Sequence, residues 1–322
     1  MSTTLTDSRT ERADRPRMLR GLSWLVVRQH RAALASVLAL VLLCSALIVY
    51  QRAELIQLLD DAGWPAKPAP EQPLGDQYNY LSTLLGALPV ILAVFFGAPL
   101  IAADQEQGTA QLATTQSVTR LRWLTVKIAW CLAVAVAAGA VLSALFTWWW
   151  EPYRSVFPST WVEGSIFDNT GPVLPALCLF LTAAGITIGV LLRRVLASMV
   201  VTFVFSAAVQ ILWGELRLHL APTHLFTYPL DSELPARFAE SYEVDRWVAS
   251  ADGTLYGWGS CAETTEKATA ACLKGKGIVN SVIEYLDYDQ MAAMQWTGAG
   301  ILIAGTALLT AFTLRRVSRR PL

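Results

Sequence analysis

Charge is what this sequence has least of. Only 16% of its 322 residues are Asp, Glu, Lys or Arg, and 54% are hydrophobic. A soluble domain carries about 25% charged residues. The shortfall comes from long uncharged runs, as in chains that cross membranes. Histidine is also scarce, with three in the chain. His219 and His224 stand five apart with Pro222 between them. They share no helical face and do not make H-E-x-x-H, so they read as loop histidines rather than metal ligands. The phosphate-binding loop G-x-x-x-x-G-K-[ST] is missing. Lys274-Gly275-Lys276-Gly277 holds glycine and lysine at the wrong spacing. The chain therefore cannot hydrolyse ATP alone. G-x-S-x-G is missing too, and the apolar runs hold no Asp pair or Ser/Lys dyad. That argues against an intramembrane hydrolase. With no ionisable side chain in those runs, a proton relay is also disfavoured. No metal, cofactor or nucleic acid is expected on this chain.

What is present is six apolar runs, at about residues 32–50, 81–103, 128–150, 173–192, 195–213 and 293–314. Each is near the ~20 residues that cross a bilayer core as a helix. The first has a long charged leader and no clear A-x-A site, so it reads as a retained span rather than a signal peptide. Residues 1–17 are polar and read as a disordered tail. Residues 18–31 carry apolar positions at helical spacing among basic ones, including Trp24, Arg28, His30 and Arg31. They read as an amphipathic helix lying in the membrane interface. The expected fold is an all-α integral membrane protein with six transmembrane helices, an interfacial N-terminal helix and a small extracytoplasmic cap between spans 5 and 6. The expected divisions are a tail at 1–17, the interfacial helix at 18–31, spans 1–5 at 32–214, the cap at 215–292, and span 6 with a basic tail at 293–322.

The basic residues set the orientation. Arginines before the first run, Arg120, Arg122 and Lys127, the pair Arg193-Arg194, and the C-terminal arginines all fall on one side. That side should be cytoplasmic and should hold both termini. Tyr50, Tyr78, Tyr80, Trp148, Trp149, Trp150 and Trp213 fall at the outer ends, as an interfacial aromatic belt would. Within the outer segment 215–292, residues 262–273 and 279–286 read as helices. Cys261 and Cys272 sit there in an oxidising setting, which predicts a disulfide. Gly185 and Gly189 form G-x-x-x-G in the fourth run, and Ala133 and Ala137 sit in the third. Such spacing lets helices approach closely, inside one subunit or across a dimer seam. Pro89 and Gly97-Ala98-Pro99 should bend or break the second span.

The polar stretch between the second and third runs, 104–127, is the most informative. It begins with Asp104, Glu106, Gly108 and Thr109 and runs on through Gln116, Thr119 and Arg120. It is too short for a domain, and as a polar element held between two spans it is placed to receive a push from a soluble partner. Phe96-Gly97-Ala98-Pro99-Leu100, Glu106-x-Gly108-Thr109 and Thr115-Gln116-Ser117-Val118-Thr119-Arg120-x-Arg122-Trp123-Leu124 resemble the same region of bacterial ABC transporter permeases of the type-2 exporter class. Trp24-x-x-x-Arg28-Gln29-His30-Arg31 is similar to the segment before their first span. The resemblance implies a permease dimer in the bacterial plasma membrane. A separate ATPase subunit would bind ATP and Mg. Glu106, Gly108, Thr109, Gln116, Thr119 and Arg120 would form the coupling element, beside the interfacial helix. Cargo would pass between two permeases, identical or paralogous, along spans 1, 2 and 5. The apolar spans suit an amphipathic or hydrophobic cargo. The competing reading is a non-transporting sensor or immunity protein acting through its cap.

Overall fold

A computed structural model describes residues 22–69, 71–108, 119–157 and 159–319. Six helical stretches in it are long and apolar enough to cross a membrane. Helix α1 (Leu22–Gln29) is followed by α2 (Arg31–Ala62), which is span 1. Span 2 is α3 (Glu71–Ile91), a π-helical turn (Leu92–Gly97) and α4 (Pro99–Glu106). Span 3 is α5 (Arg120–Trp150). A one-turn helix α6 (Gly164–Phe167) precedes span 4, α7 (Val173–Leu192). Span 5 is α8 (Val195–Arg217) and span 6 is α10 (Met291–Arg319). The tail at 1–17 and the start of the 18–31 helix lie outside the described residues.

Span 4 sits at the centre because its sequence is apolar on every face, and such a helix is stable only when surrounded. Span 1 buries just Val37, Cys44, Ile48, Leu55 and Leu59. Those positions alternate steps of seven and four, the narrow stripe of a helix packed mainly on one neighbour, span 3. Span 5 buries Ser198, Thr202, Ser206 and Trp213. Its small residues let it lie close to spans 2 and 4. The remaining faces of spans 1 and 5 expose Leu, Val and Phe, which suits contact with lipid.

The glycine pattern of span 4 closes on its own chain. A Cβ on Gly185 would lie 2.5 Å from the Ala93 carbonyl oxygen, and one on Gly189 would lie 2.4 Å from that of Ala98. A Cβ on Gly97 would lie 2.7 Å from the Thr182 carbonyl oxygen. Spans 2 and 4 thus interlock backbone to backbone where span 2 widens into its π turn. The turn is also how span 2 accommodates Gly97 and Pro99. Ala98 N–H donates to Ala93 O at 2.8 Å, a five-residue step, and Pro99 opens α4 where its missing N–H costs nothing. The helix therefore bends through rather than breaking. In span 3 the close approach is made by Gly139 against Pro175, while Ala133 and Ala137 are exposed.

Two expectations need correction. The protein is not all-α. Residues 224–286 form a four-stranded antiparallel sheet of order β1-β4-β2-β3, with β1 His224–Pro229, β2 Tyr242–Ser250, β3 Leu255–Gly257 and β4 Ile278–Leu286. The stretch 279–286, expected to be helical, is in that central strand. Its Val and Ile residues are stiff at χ1 and favour a pleated surface, and pairing on both edges decides the outcome. The other expected helix is real but shifted, as α9 (Glu266–Lys276). It packs on the sheet through Leu273, and the Cys261–Cys272 disulfide ties it to the turn that follows β3. The aromatic belt is also incomplete. Trp148, Tyr50 and Tyr80 are exposed, but Tyr78, Trp149, Trp150 and Trp213 are buried. Trp149 packs on Phe146 and Phe157. Arg52, from the extension of α2 beyond the first run, lies 4.0 Å from the Trp148 ring.

Candidate functional site

At one end of the bundle, α1, the close of span 2 and the start of span 3 meet on a buried ion pair. Asp104 of α4 and Lys127 of α5 are 5% and 0% exposed and pair directly. Gln29, the last residue of α1, donates from Nε2 to Asp104 Oδ1 at 2.9 Å. The Lys127 ammonium also lies 4.5 Å from the centroid of the Trp123 ring. Two charges removed from water need extra hydrogen bonds to offset their desolvation. Here Gln29 supplies one, and so ties α1 to both spans. His30 follows at once, its Nε2 buried with no hydrogen-bond partner among the described residues. Burial, and then the Lys127 ammonium, push the imidazole below the ordinary histidine range, with Asp104 pulling the other way.

Several residues singled out in the sequence gather at this end. Glu106 accepts from the Val195 backbone N–H at 2.8 Å. It thereby places a carboxylate on the amino-terminal turn of span 5, where the orphan N–H groups and helix dipole favour it. Gly108 has φ +70, a conformation that glycine adopts without the cost a Cβ would add. Thr119 caps span 3, accepting from Arg122 N–H at 3.4 Å, and Arg120 is the exposed first residue of that helix. Thr109 and Gln116 lie outside the described residues. Trp24 and Arg28 are exposed on α1 and touch each other, the guanidinium 5.0 Å from the ring centroid. Arg31 opens span 1. The sequence reading did not single out Gln29, Asp104 and Lys127 as a cluster. Its one signal was opposite charges at the mouths of consecutive apolar runs.

The far end is held differently. The segment between spans 3 and 4 folds back over the bundle and is bonded to spans 2, 5 and 6 as well as to span 3. Tyr78 of span 2 bonds Ser165. Asn169 Nδ2 donates to the Ser82 and Ser165 carbonyls, both at 3.0 Å. Asp168 accepts from Trp213 Nε1 at 2.7 Å and pairs with Arg217 at 3.0 Å, both on span 5. Gln295 of span 6 donates to Thr170 Oγ1 at 2.8 Å. Burial pushes the Asp168 carboxyl above the usual carboxylate range, and Arg217 and Trp213 pull it back.

Between these ends, spans 2 and 5 flank an apolar groove of about 710 Å³, lined by Val90, Ile91, Phe95, Leu196, Met199 and Phe203 among others. Toward the Asp168 end it adjoins a smaller cleft of about 300 Å³. Thr83, Gly86 and Gln210 line both. Gln210 Nε2 donates to the Gly86 carbonyl at 3.0 Å. Among the described residues no cluster of three or more His, Cys, Asp or Glu forms a metal site.

Compared with known proteins, no curated protein and no solved structure matches this chain. The model of one family, described as ABC-2 membrane transporter related, matches residues 37–217. That is more than half of the chain, and it takes in spans 1 to 5, the buried ion pair and the groove between spans 2 and 5. The chain belongs to the ABC-2 membrane transporter related family.

Proposed function

We propose that this protein is the permease subunit of an ATP-driven exporter in the bacterial plasma membrane. It would work with a separate ATPase subunit, which holds ATP and Mg, and with a second permease, identical or paralogous. The basic-residue bias puts the Asp104 end and both termini in the cytoplasm, and the β-sheet outside. The observation that carries the reading is the joint at that inner end. Asp104 connects α1, span 2 and span 3, and two residues later Glu106 holds the first turn of span 5. A push on the polar stretch after Gly108 would therefore reach spans 2 and 5 together, and those are the two helices that flank the groove. Packed helices of this kind shift as units rather than deform. The coupling element would be Glu106, Gly108, Thr109, Gln116, Thr119 and Arg120, flanked by Trp24, Arg28, His30 and Arg31. The groove suits cargo with a substantial apolar part.

The test is a mild-detergent purification of the chain from its native membrane, followed by mass spectrometry and an ATPase assay. A soluble ATPase in one-to-one ratio is expected. Glu106→Ala and Gly108→Pro should keep the protein in the membrane and abolish transport, the second because proline cannot adopt positive φ. Full transport by both variants, or a chain that purifies without an ATPase, would overturn the proposal.

A further inference from the structure

Spans 2 and 5 each carry a polar stripe toward the outer end of the groove. On span 2 it is Tyr78, Ser82 and Gly86, spaced by four residues, and on span 5 it is Gln210, Trp213 and Arg217, spaced by three and four. Each set lies on one helical face. At the groove the stripes meet directly, through Gln210 Nε2 and the Gly86 carbonyl at 3.0 Å. Farther out, no hydrogen bond joins the two helices among the described residues. Residues 164–170, the α6 segment, bond to both instead: Ser165 and Asn169 to span 2, Asp168 to span 5. The same segment lines the cleft at the end of the groove. Its two sides are held unequally. On span 6, Gln295 Nε2 has three acceptors within reach, the Phe167 and Thr170 carbonyls and Thr170 Oγ1. On span 3, Ser143 Oγ donates to the Gly171 carbonyl at 2.7 Å. On span 5 the tie is the Asp168–Arg217 pair, with Trp213 as the carboxylate's second donor. There Arg217 Nε is buried with no partner among the described residues, and so is the Oδ1 of Asn169, the residue after Asp168. A buried network left partly unsatisfied is weaker than a complete one, so the span 5 side is the one that gives.

We infer that the α6 segment is the outer gate of the groove, a clasp anchored on spans 3 and 6 that fixes the separation of spans 2 and 5 and releases at Arg217. In this structure the clasp is closed. Asp168 is its positioning residue. Gly164 is part of the fit, since a Cβ there would lie 2.4 Å from Arg217 Nη1. A push at the inner joint reaches the inner ends of spans 2 and 5 together through Glu106; the clasp decides whether the outer ends follow. This deepens the exporter reading and rests on it for the gate's purpose, but not for the clasp itself.

The test uses the full-length protein in nanodiscs, spin-labelled on pairs of introduced cysteines and diluted with unlabelled protein so that each signal comes from one chain. The native free cysteines are buried and stay unlabelled. Tyr80→Cys with Leu216→Cys reports the outer ends of spans 2 and 5, and Phe95→Cys with Leu196→Cys reports the inner half; all four positions are exposed. Dipolar EPR reads each separation. The unperturbed clasp should give one short outer distance. Asp168→Asn sets an amide N–H against the Arg217 guanidinium, and Gly164→Ala drives a methyl group into it. Each should open a second, longer outer population. Its ratio to the short one should rise about tenfold or more, because a hydrogen bond to a charged group is lost. The inner distance should stay, because Glu106 still holds span 5. An outer distance unchanged in both variants overturns the inference. So does an inner distance that lengthens equally, which is general loosening rather than a gate. If one variant does not fold, the other decides. The measurement needs neither ATPase nor cargo. A chain whose outer pair opens but which has no ATPase refutes only the exporter reading. An ATPase-bound chain whose outer pair does not move refutes only this one.

Discussion

The strongest test of the inner joint is to take one charge out of it. Asp104→Leu strands the Lys127 ammonium, a side chain with no exposed surface. The Trp123 ring at 4.5 Å offers a cation–π contact of about 0.5–2 kcal/mol, too little to replace a carboxylate. Breaking a buried pair by removing one partner costs about 3–5 kcal/mol. At about 2–4 °C per kcal/mol for chains of a few hundred residues, that is a fall on the order of 10 °C. Gln29→Leu removes only a hydrogen bond to a charged group and should cost less, about 1.5–3 kcal/mol. Adding Lys127→Met to Asp104→Leu should restore stability to near wild type, because an apolar pair of similar volume often replaces a buried ion pair without loss. The chain supplies its own reporter. Cys44, Cys131 and Cys178 are free and buried, so a thiol-reactive fluorophore reads unfolding directly. The rescued double variant then separates stability from mechanism. It should melt like wild type and yet transport poorly, since Gln29 has lost the carboxylate that tied α1 to span 2. An Asp104→Leu protein that melts with wild type refutes the reasoning, as does a double variant no more stable than the single one.

Three further outcomes are expected. Gly189→Leu should lower the melting transition, because its Cβ meets a carbonyl oxygen at 2.4 Å and overpacking costs about 1–3 kcal/mol; Gly86→Leu, with open space, is the matched control. Replacing Cys261 and Cys272 with serine releases a link between residues 11 apart, worth about 3 kcal/mol on chain-entropy grounds. Limited proteolysis should then cut within 224–286, while the thiol-reported melting of the spans stays put. Finally, an impermeant maleimide applied to intact cells should label Glu233→Cys and spare Ser318→Cys until the membrane is opened. Both positions are exposed in the fold, so the reverse result would invert the orientation.

Hydropathy alone was enough to count the spans and place each roughly, because a bilayer core demands ~20 apolar residues and leaves little freedom in the reading. Spacing and composition likewise pointed to a Cys261–Cys272 pair and to a close neighbour for Gly185 and Gly189. They did not say which neighbour. The partner of that glycine face is the π turn of span 2 in the same chain, and only the assembled bundle places the Ala93 and Ala98 carbonyls there. Residues 279–286 read as a helix and fold as a strand, because a short apolar run has no decisive period and its two flanking strands end 28 or more residues earlier in the chain. The ion pair of Asp104 with Lys127, the cap of Glu106 on span 5 and the orphan oxygen of Asn169 are likewise products of tertiary contact. The first two join residues distant in sequence, and contacts of that kind leave no periodicity for a sequence to display.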